Sequence, residues 1–297
     1  MKLAIMVLVI VACLPLVVIV GYLLLSMCLW IISVLHGDYP GPKVLYSNKD
    51  RGADDAIDWL LIHGASVDAR SWSNFLNRHP DAKMAAISLA GHERGVVHAN
   101  PNAEAAIELA QYLSTHKVRC GIVGHSTAAL WIADAYSRCP ECFQGLQVIL
   151  ITPNFGSNII LAGFDQLLFK VIHKIAWLLA MPIWKPGKMN ACIGAGDQRY
   201  ALCSRLYMYD RLYNFISLNY YHKLLTYGYS SAMQHKLRAF LDKFRENITI
   251  YATTSDLVLD PVETQALAKA HQIELHLMDN IPHHMMLDQD ACWFAQS

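Results

Sequence analysis

Hydrophobic positions are distributed unevenly along the chain. From Leu3 to Leu35 no Asp, Glu, Lys, Arg or His interrupts an apolar run. Further on, short apolar blocks end in turn residues: Trp59-Leu60-Leu61-Ile62 before His63-Gly64, Met84 to Leu89 before Gly91, Gly121-Ile122-Val123, and Gln147 to Ile151. Blocks of that length and composition predict buried strands. Between them, residues 71–78, 103–117 and 127–138 carry apolar positions at helical spacing. The alternation stops over residues 154–232, which are rich in apolar helical stretches and tyrosines, and then returns. The returning elements are a helix at 233–245, a strand Ile248 to Tyr251, a helix at 261–270 and a strand Ile273 to Leu277.

Alternating strands and helices predict a mostly parallel sheet, because parallel neighbours need crossover connections and helices supply them. Continuous rather than alternating apolar strands are expected where both faces of the sheet are covered. The fold class is therefore α/β, with helices flanking the sheet. The expected organisation is a membrane anchor at 1–36, a linker at 37–42 rich in Gly and Pro, core segments at 43–153 and 233–297, and an inserted helical cap at 154–232.

The apolar run at the N-terminus exceeds the roughly 20 residues that cross a bilayer core, and is too long for the apolar region of a cleaved signal peptide. A single-pass N-terminal transmembrane helix through residues 3–35 is expected, which would place the protein at a membrane. Lys2 precedes the run while Lys43, Lys49 and Arg51 follow it among acidic residues, so the basic residues that orient a span favour neither side. Lys+Arg and Asp+Glu both number 24, a balance that gives no electrostatic footprint for nucleic acid. Eight cysteines are scattered without the spacing of a small disulfide scaffold. Cys139-Pro140-Glu141-Cys142 lacks the second pair that a structural zinc site needs, and reads as a loop after a helix.

Candidate chemistry lies where strands end. Gly124-His125-Ser126-Thr127-Ala128 joins a predicted strand to a predicted helix, the setting that holds a nucleophilic serine on a tight turn above a sheet. Serine needs a base, and the base a carboxylate to orient it. Both follow later strands. Asp256 comes after Ile248 to Tyr251, with Asp260 as the alternate and Pro261 beside it suggesting an N-cap role. His283 and His284 come after Ile273 to Leu277.

These segments resemble the α/β-hydrolase superfamily, in particular its cap-containing esterase- and lipase-like members, over roughly Lys43 to the C-terminus. The resemblance implies the order Ser126, Asp256, His283, with His283 taken as the base because His283 to Asp288 fits the family's His-x-x-x-Leu-Asp/Glu segment; His284 is the alternate. Leu61 to Ser66 resembles the family's His-Gly loop after its third strand, which implies oxyanion-hole donors at the backbone N–H groups of Ala65 and Thr127. Ala90 to Arg94 resembles a Gly-His-Gly turn, with Glu93 at the second glycine position and Ala128 likewise replacing the usual glycine of the elbow. The activity so implied is that of a serine esterase without metal or organic cofactor, with thioesterase, amidase or acyltransferase activity open to the same parts; the anchor and the apolar cap point to an apolar or lipid-like ester. A membrane-anchored member that binds without turnover is the competing expectation. Neither motif nor composition fixes an oligomeric state.

Overall fold

A computed structural model describes residues 43–47, 56–65, 68–90, 100–157, 227–256, 258–279, 281, 283 and 285–287, together with positions 17, 20, 21 and 24. Seven strands form one sheet: β1 (Val44–Tyr46), β2 (Ile57–Ile62), β3 (Met84–Ile87), β4 (Val118–His125), β5 (Gln147–Ile151), β6 (Ile248–Thr253) and β7 (Glu274–Met278). Their order across the sheet is β1-β3-β2-β4-β5-β6-β7, and every neighbouring pair is parallel except β1 with β3. Among the described residues, the helices that flank the sheet are α1 (Ser73–Arg78), α2 (Pro101–Thr115), α3 (Ala128–Arg138), α4 (Ser231–Phe244) and α5 (Pro261–Ala270).

The apolar runs of the strands split by parity. Leu60, Ile62, Ile122, Val148 and Leu150 join one core with the inner faces of α2, α3 and α4, whereas Leu61, Val123, Ile149 and Ile151 join a second with Trp72, Phe75 and Leu76. Successive side chains of a strand point to opposite faces, so a strand covered on both sides must be apolar throughout. The apolar pattern misses β1, whose three half-buried residues are too few to show a period. It also predicts one helix over 71–78, where a 3-10 turn (Ala69–Trp72) capped by Asp68 precedes α1.

Cys139 and Cys142 correct the expectation of a bare loop: their sulfurs are joined in a disulfide that closes the turn after α3. Glu141 lies beside them, and the three ligand atoms fall within 4.8 Å of one another, but the sulfurs are bonded to each other. The body of the expected cap, residues 158–226, and all of the expected anchor but positions 17, 20, 21 and 24 lie outside the described residues. Among the described residues no helix is long and apolar enough to cross a membrane.

Where the chain returns from the cap region, Tyr227 meets α3. Asp134 of α3 is 1% exposed and accepts hydrogen bonds from Tyr227 Oη at 2.8 Å, Lys236 Nζ of α4 at 2.6 Å and Arg138 Nε at 3.2 Å. Burial alone pushes the Asp134 carboxyl upward, but the Lys236 and Tyr227 hydrogen bonds and the charges of Arg138 and Lys236 outweigh it and hold the pKa below its ordinary value. A depressed carboxyl stabilises the fold above the unfolded pKa, and that contribution disappears as pH falls through the folded one. Asp134→Asn is expected to cost about 1–3 kcal/mol of unfolding free energy. The difference from wild type, measured by urea denaturation, is expected to be full at about pH 7 and to shrink at about pH 3.

Candidate active site

The strand order places a switch point between β2 and β4. From β2 the chain crosses to β3 on one side, and from β4 to β5 on the other. In open α/β sheets such a divergence leaves a crevice outside the carboxyl ends of the strands. His63-Gly64-Ala65 follows β2, and Ser126 follows β4 directly.

Ser126 has φ +52°, in the left-handed region that non-glycine residues seldom occupy. The conformation is held from outside. Its N–H donates to the Ile151 carbonyl at 2.9 Å, and its own carbonyl accepts from Asn154 N–H at 2.9 Å and Ala129 N–H at 3.2 Å. Helix α3 then begins under the turn with Thr127 as its N-cap residue. A side chain at Gly124 would put its Cβ 2.5 Å from Ile132 Cδ1 but 3.2 Å from the Cβ of Ala128, which is fully buried. The small pair thus sets how closely strand and helix pack, and one methyl group at position 128 fits.

The loop after β2 rises against this turn. A Cβ on Gly64 would lie 2.6 Å from His125 Nδ1 and 3.1 Å from Ser126 Cβ, so only glycine allows the approach. Fully buried His63 fixes the loop's direction. Its Nε2 accepts from the Leu89 amide at 3.0 Å, which puts the ring proton on Nδ1, and Nδ1 donates to the Gly64 carbonyl at 2.7 Å. In a planar trans peptide the next N–H faces the other way. His63 therefore turns the Ala65 N–H away from the carbonyl that it captures. Thr127, buried at the start of α3, offers one of the first helical N–H groups, which have no partner within their own helix.

Asp256 and His283 come together from the ends of β6 and β7. Asp256 Oδ1 accepts from the amides of Val258 (2.8 Å) and Leu259 (3.0 Å), while Oδ2 accepts from His283 Nδ1 at 2.8 Å. Both side chains are 4% exposed. With its proton on Nδ1, the neutral ring keeps its lone pair on Nε2. Asp260 is used elsewhere: it caps α5, its Oδ1 accepting from the Val262 amide at 2.8 Å. His284 lies outside the described residues, as does the segment Gly91 to Arg94. Met285 and Met286, fully buried beside Trp72 and Phe75, anchor the His283 loop in the core.

Two further groups close around this pair. Thr152 Oγ1 donates to the His283 carbonyl at 2.9 Å, and His125 Nε2 lies 3.2 Å from the same oxygen. No sequence motif assigns either residue a role; the available signal is that both stand at strand ends, His125 next to the expected nucleophile.

No protein-family model matches the sequence, and no curated protein matches it. Solved structures do match the fold. The thioesterase domain from the curacin biosynthetic pathway is 12% identical with a TM-score of 0.57, over 83% of this chain and 92% of that one. A carboxylesterase structure from the thaumarchaeon Nitrososphaera gargenis is 15% identical with a TM-score of 0.56, over 85% and 92%. A hydrolase from Oleispira antarctica is 14% identical with a TM-score of 0.54, over 84% and 89%. The chain has the α/β-hydrolase fold.

Gly64→Ala tests the close approach of the two loops. Overpacking of this kind costs about 1–3 kcal/mol, and a lowered unfolding midpoint is expected; an unchanged midpoint would mean that the loop lies farther from His125 and Ser126.

Proposed function

We propose that the chain is a serine hydrolase that cleaves a carboxylic ester through an acyl-enzyme on Ser126. The observation that carries this reading is the pairing of His283 Nδ1 with Asp256 at 2.8 Å, on the same rim of the sheet as a serine held at positive φ. Ser126 Oγ attacks the ester carbonyl and passes its proton to His283 Nε2. Asp256 orients the ring and balances the imidazolium that forms. The N–H groups of Ala65 and Thr127 receive the oxyanion, a donor of that kind being worth about 3–4 kcal/mol in the transition state. His283 then returns its proton to the departing alkoxide, and water attacking the acyl-enzyme releases the acid as His283 acts again as base. The fold neighbours include proteins described as a carboxylesterase and a thioesterase, which supports acyl transfer as the reaction type.

The substrate in this reading is an apolar or lipid-like ester, and the protein is tethered to a membrane by residues 3–35. Support comes from the uncharged N-terminal run and from the tyrosine-rich, apolar composition of the cap region. Activity toward a medium-chain ester is expected to rise when vesicles are supplied. Preference for a short water-soluble ester, indifferent to vesicles, would remove the lipid-like assignment.

The nucleophile is tested by labelling with a fluorophosphonate, which reacts preferentially with an activated serine. Wild type is expected to label and Ser126→Ala to remain blank. Asp256→Asn and His283→Ala are expected to slow labelling by about 10³–10⁴-fold, with His284→Ala and Asp260→Asn near wild type. A blank wild type would favour a binding protein over an enzyme.

A further inference from the structure

The carbonyl oxygen of His283 is gripped by two side chains, and this points to a positioning device. Thr152 Oγ1 donates to it at 2.9 Å, and His125 Nε2, at 3.2 Å, must carry its proton to do the same, since a carbonyl only accepts. Both donors are buried, His125 1% and Thr152 2% exposed. They flank the serine turn: His125 immediately precedes Ser126, and Thr152 immediately follows Ile151, whose carbonyl receives the Ser126 N–H.

Thr152 carries a second, independent mark. Its φ is +40°, and a β-branched residue at positive φ is an outlier that persists only where its surroundings over-determine it. Here they do: its N–H donates to the Tyr251 carbonyl on β6 at 2.7 Å, while its hydroxyl reaches His283. The residue therefore ties β5, β6 and the His283 loop together. Its N–H extends the β5–β6 pairing one hydrogen bond beyond Ile151, while its hydroxyl turns to the His283 carbonyl.

We infer that Thr152, with His125, is a positioning residue that sets the distance between His283 and Ser126 by holding the histidine's own backbone. Asp256 fixes the ring about its Nδ1 atom, and Met285 and Met286 seat the loop in the core. Thr253 Oγ1 on β6 holds the Ile281 carbonyl of the same loop. The two donors at the His283 carbonyl tie the loop to the serine turn itself, because they belong to that turn and to its β5 neighbour. Misplacing a base by an ångström can cost about 100-fold in rate. The inference rests on the proposed serine-hydrolase reading, in which His283 is the base.

The test measures kcat and KM for p-nitrophenyl butyrate with wild type, Thr152→Val, Thr152→Ser, His283→Ala and the double variant Thr152→Val/His283→Ala. Valine keeps the shape and branching of threonine and removes the hydroxyl. Thr152→Val is expected to lower kcat by about 10–100-fold with KM changed less than about twofold, and Thr152→Ser to recover most of the loss. In the His283→Ala background the valine change is expected to have no further effect, since a residue acting through His283 has nothing left to position. Should Thr152→Val not fold, His125→Phe removes the other donor and is read by the same criteria. Equal losses with and without His283 would overturn the inference, as would a Thr152→Val enzyme with wild-type kcat. Wild-type turnover that His283→Ala leaves intact would instead sink the hydrolase reading itself.

Discussion

A serine at φ +52° occupies a conformation that costs about 1–2 kcal/mol for a residue with a Cβ, and the turn that contains it does not recover that cost. Its neighbours do. The Ser126 amide is bonded to β5, its carbonyl to Asn154 and Ala129, and small residues at 124 and 128 let the helix close beneath it. Together these contacts hold the serine in that conformation. The other parts of the site are placed relative to this turn: Gly64 because only its bare Cα fits against the His125 ring beside Ser126, and His283 because its carbonyl is held by the residues on either side of the Ser126–Ile151 hydrogen bond.

The same constraint shapes the sheet. Strands β2, β4, β5 and β6 contribute alternate residues to two cores, so their ends are stiff where the loops depart. Stiff ends let short loops carry chemistry without disordering it. The carboxylate at the end of β6 is held by two backbone amides of its own loop as well as by His283.

Much of this is legible in the sequence because it is local. A strand, a tight turn and a helix leave a contiguous signature in Ile122 to Ala135, and Pro261 directly after Asp260 separates a capping aspartate from Asp256. Strand ends shift by up to three residues, as at β4, which starts at Val118 among polar residues that no apolar pattern reveals. What stays hidden depends on contacts between distant parts of the chain. Thr152 reaches a carbonyl 131 residues away, and a threonine after a strand carries no mark of positive φ. The edge strand β1 is defined by pairing with β3 rather than by its own three residues. The bond between Cys139 and Cys142 follows from how α3 ends and the chain turns, which the spacing alone leaves compatible with free thiols.

The strained turn at Ser126 matters for catalysis only if that serine becomes covalently acylated during turnover. Intact-mass spectrometry of the protein, quenched in acid while it turns over a p-nitrophenyl ester, reads this step without intermediaries. A mass increase of one acyl group is expected, mapped by peptide sequencing to Ser126 and decaying once the ester is exhausted. Sustained turnover with no adduct, or with an adduct on another residue that survives Ser126→Ala, would contradict the assignment of Ser126 as nucleophile.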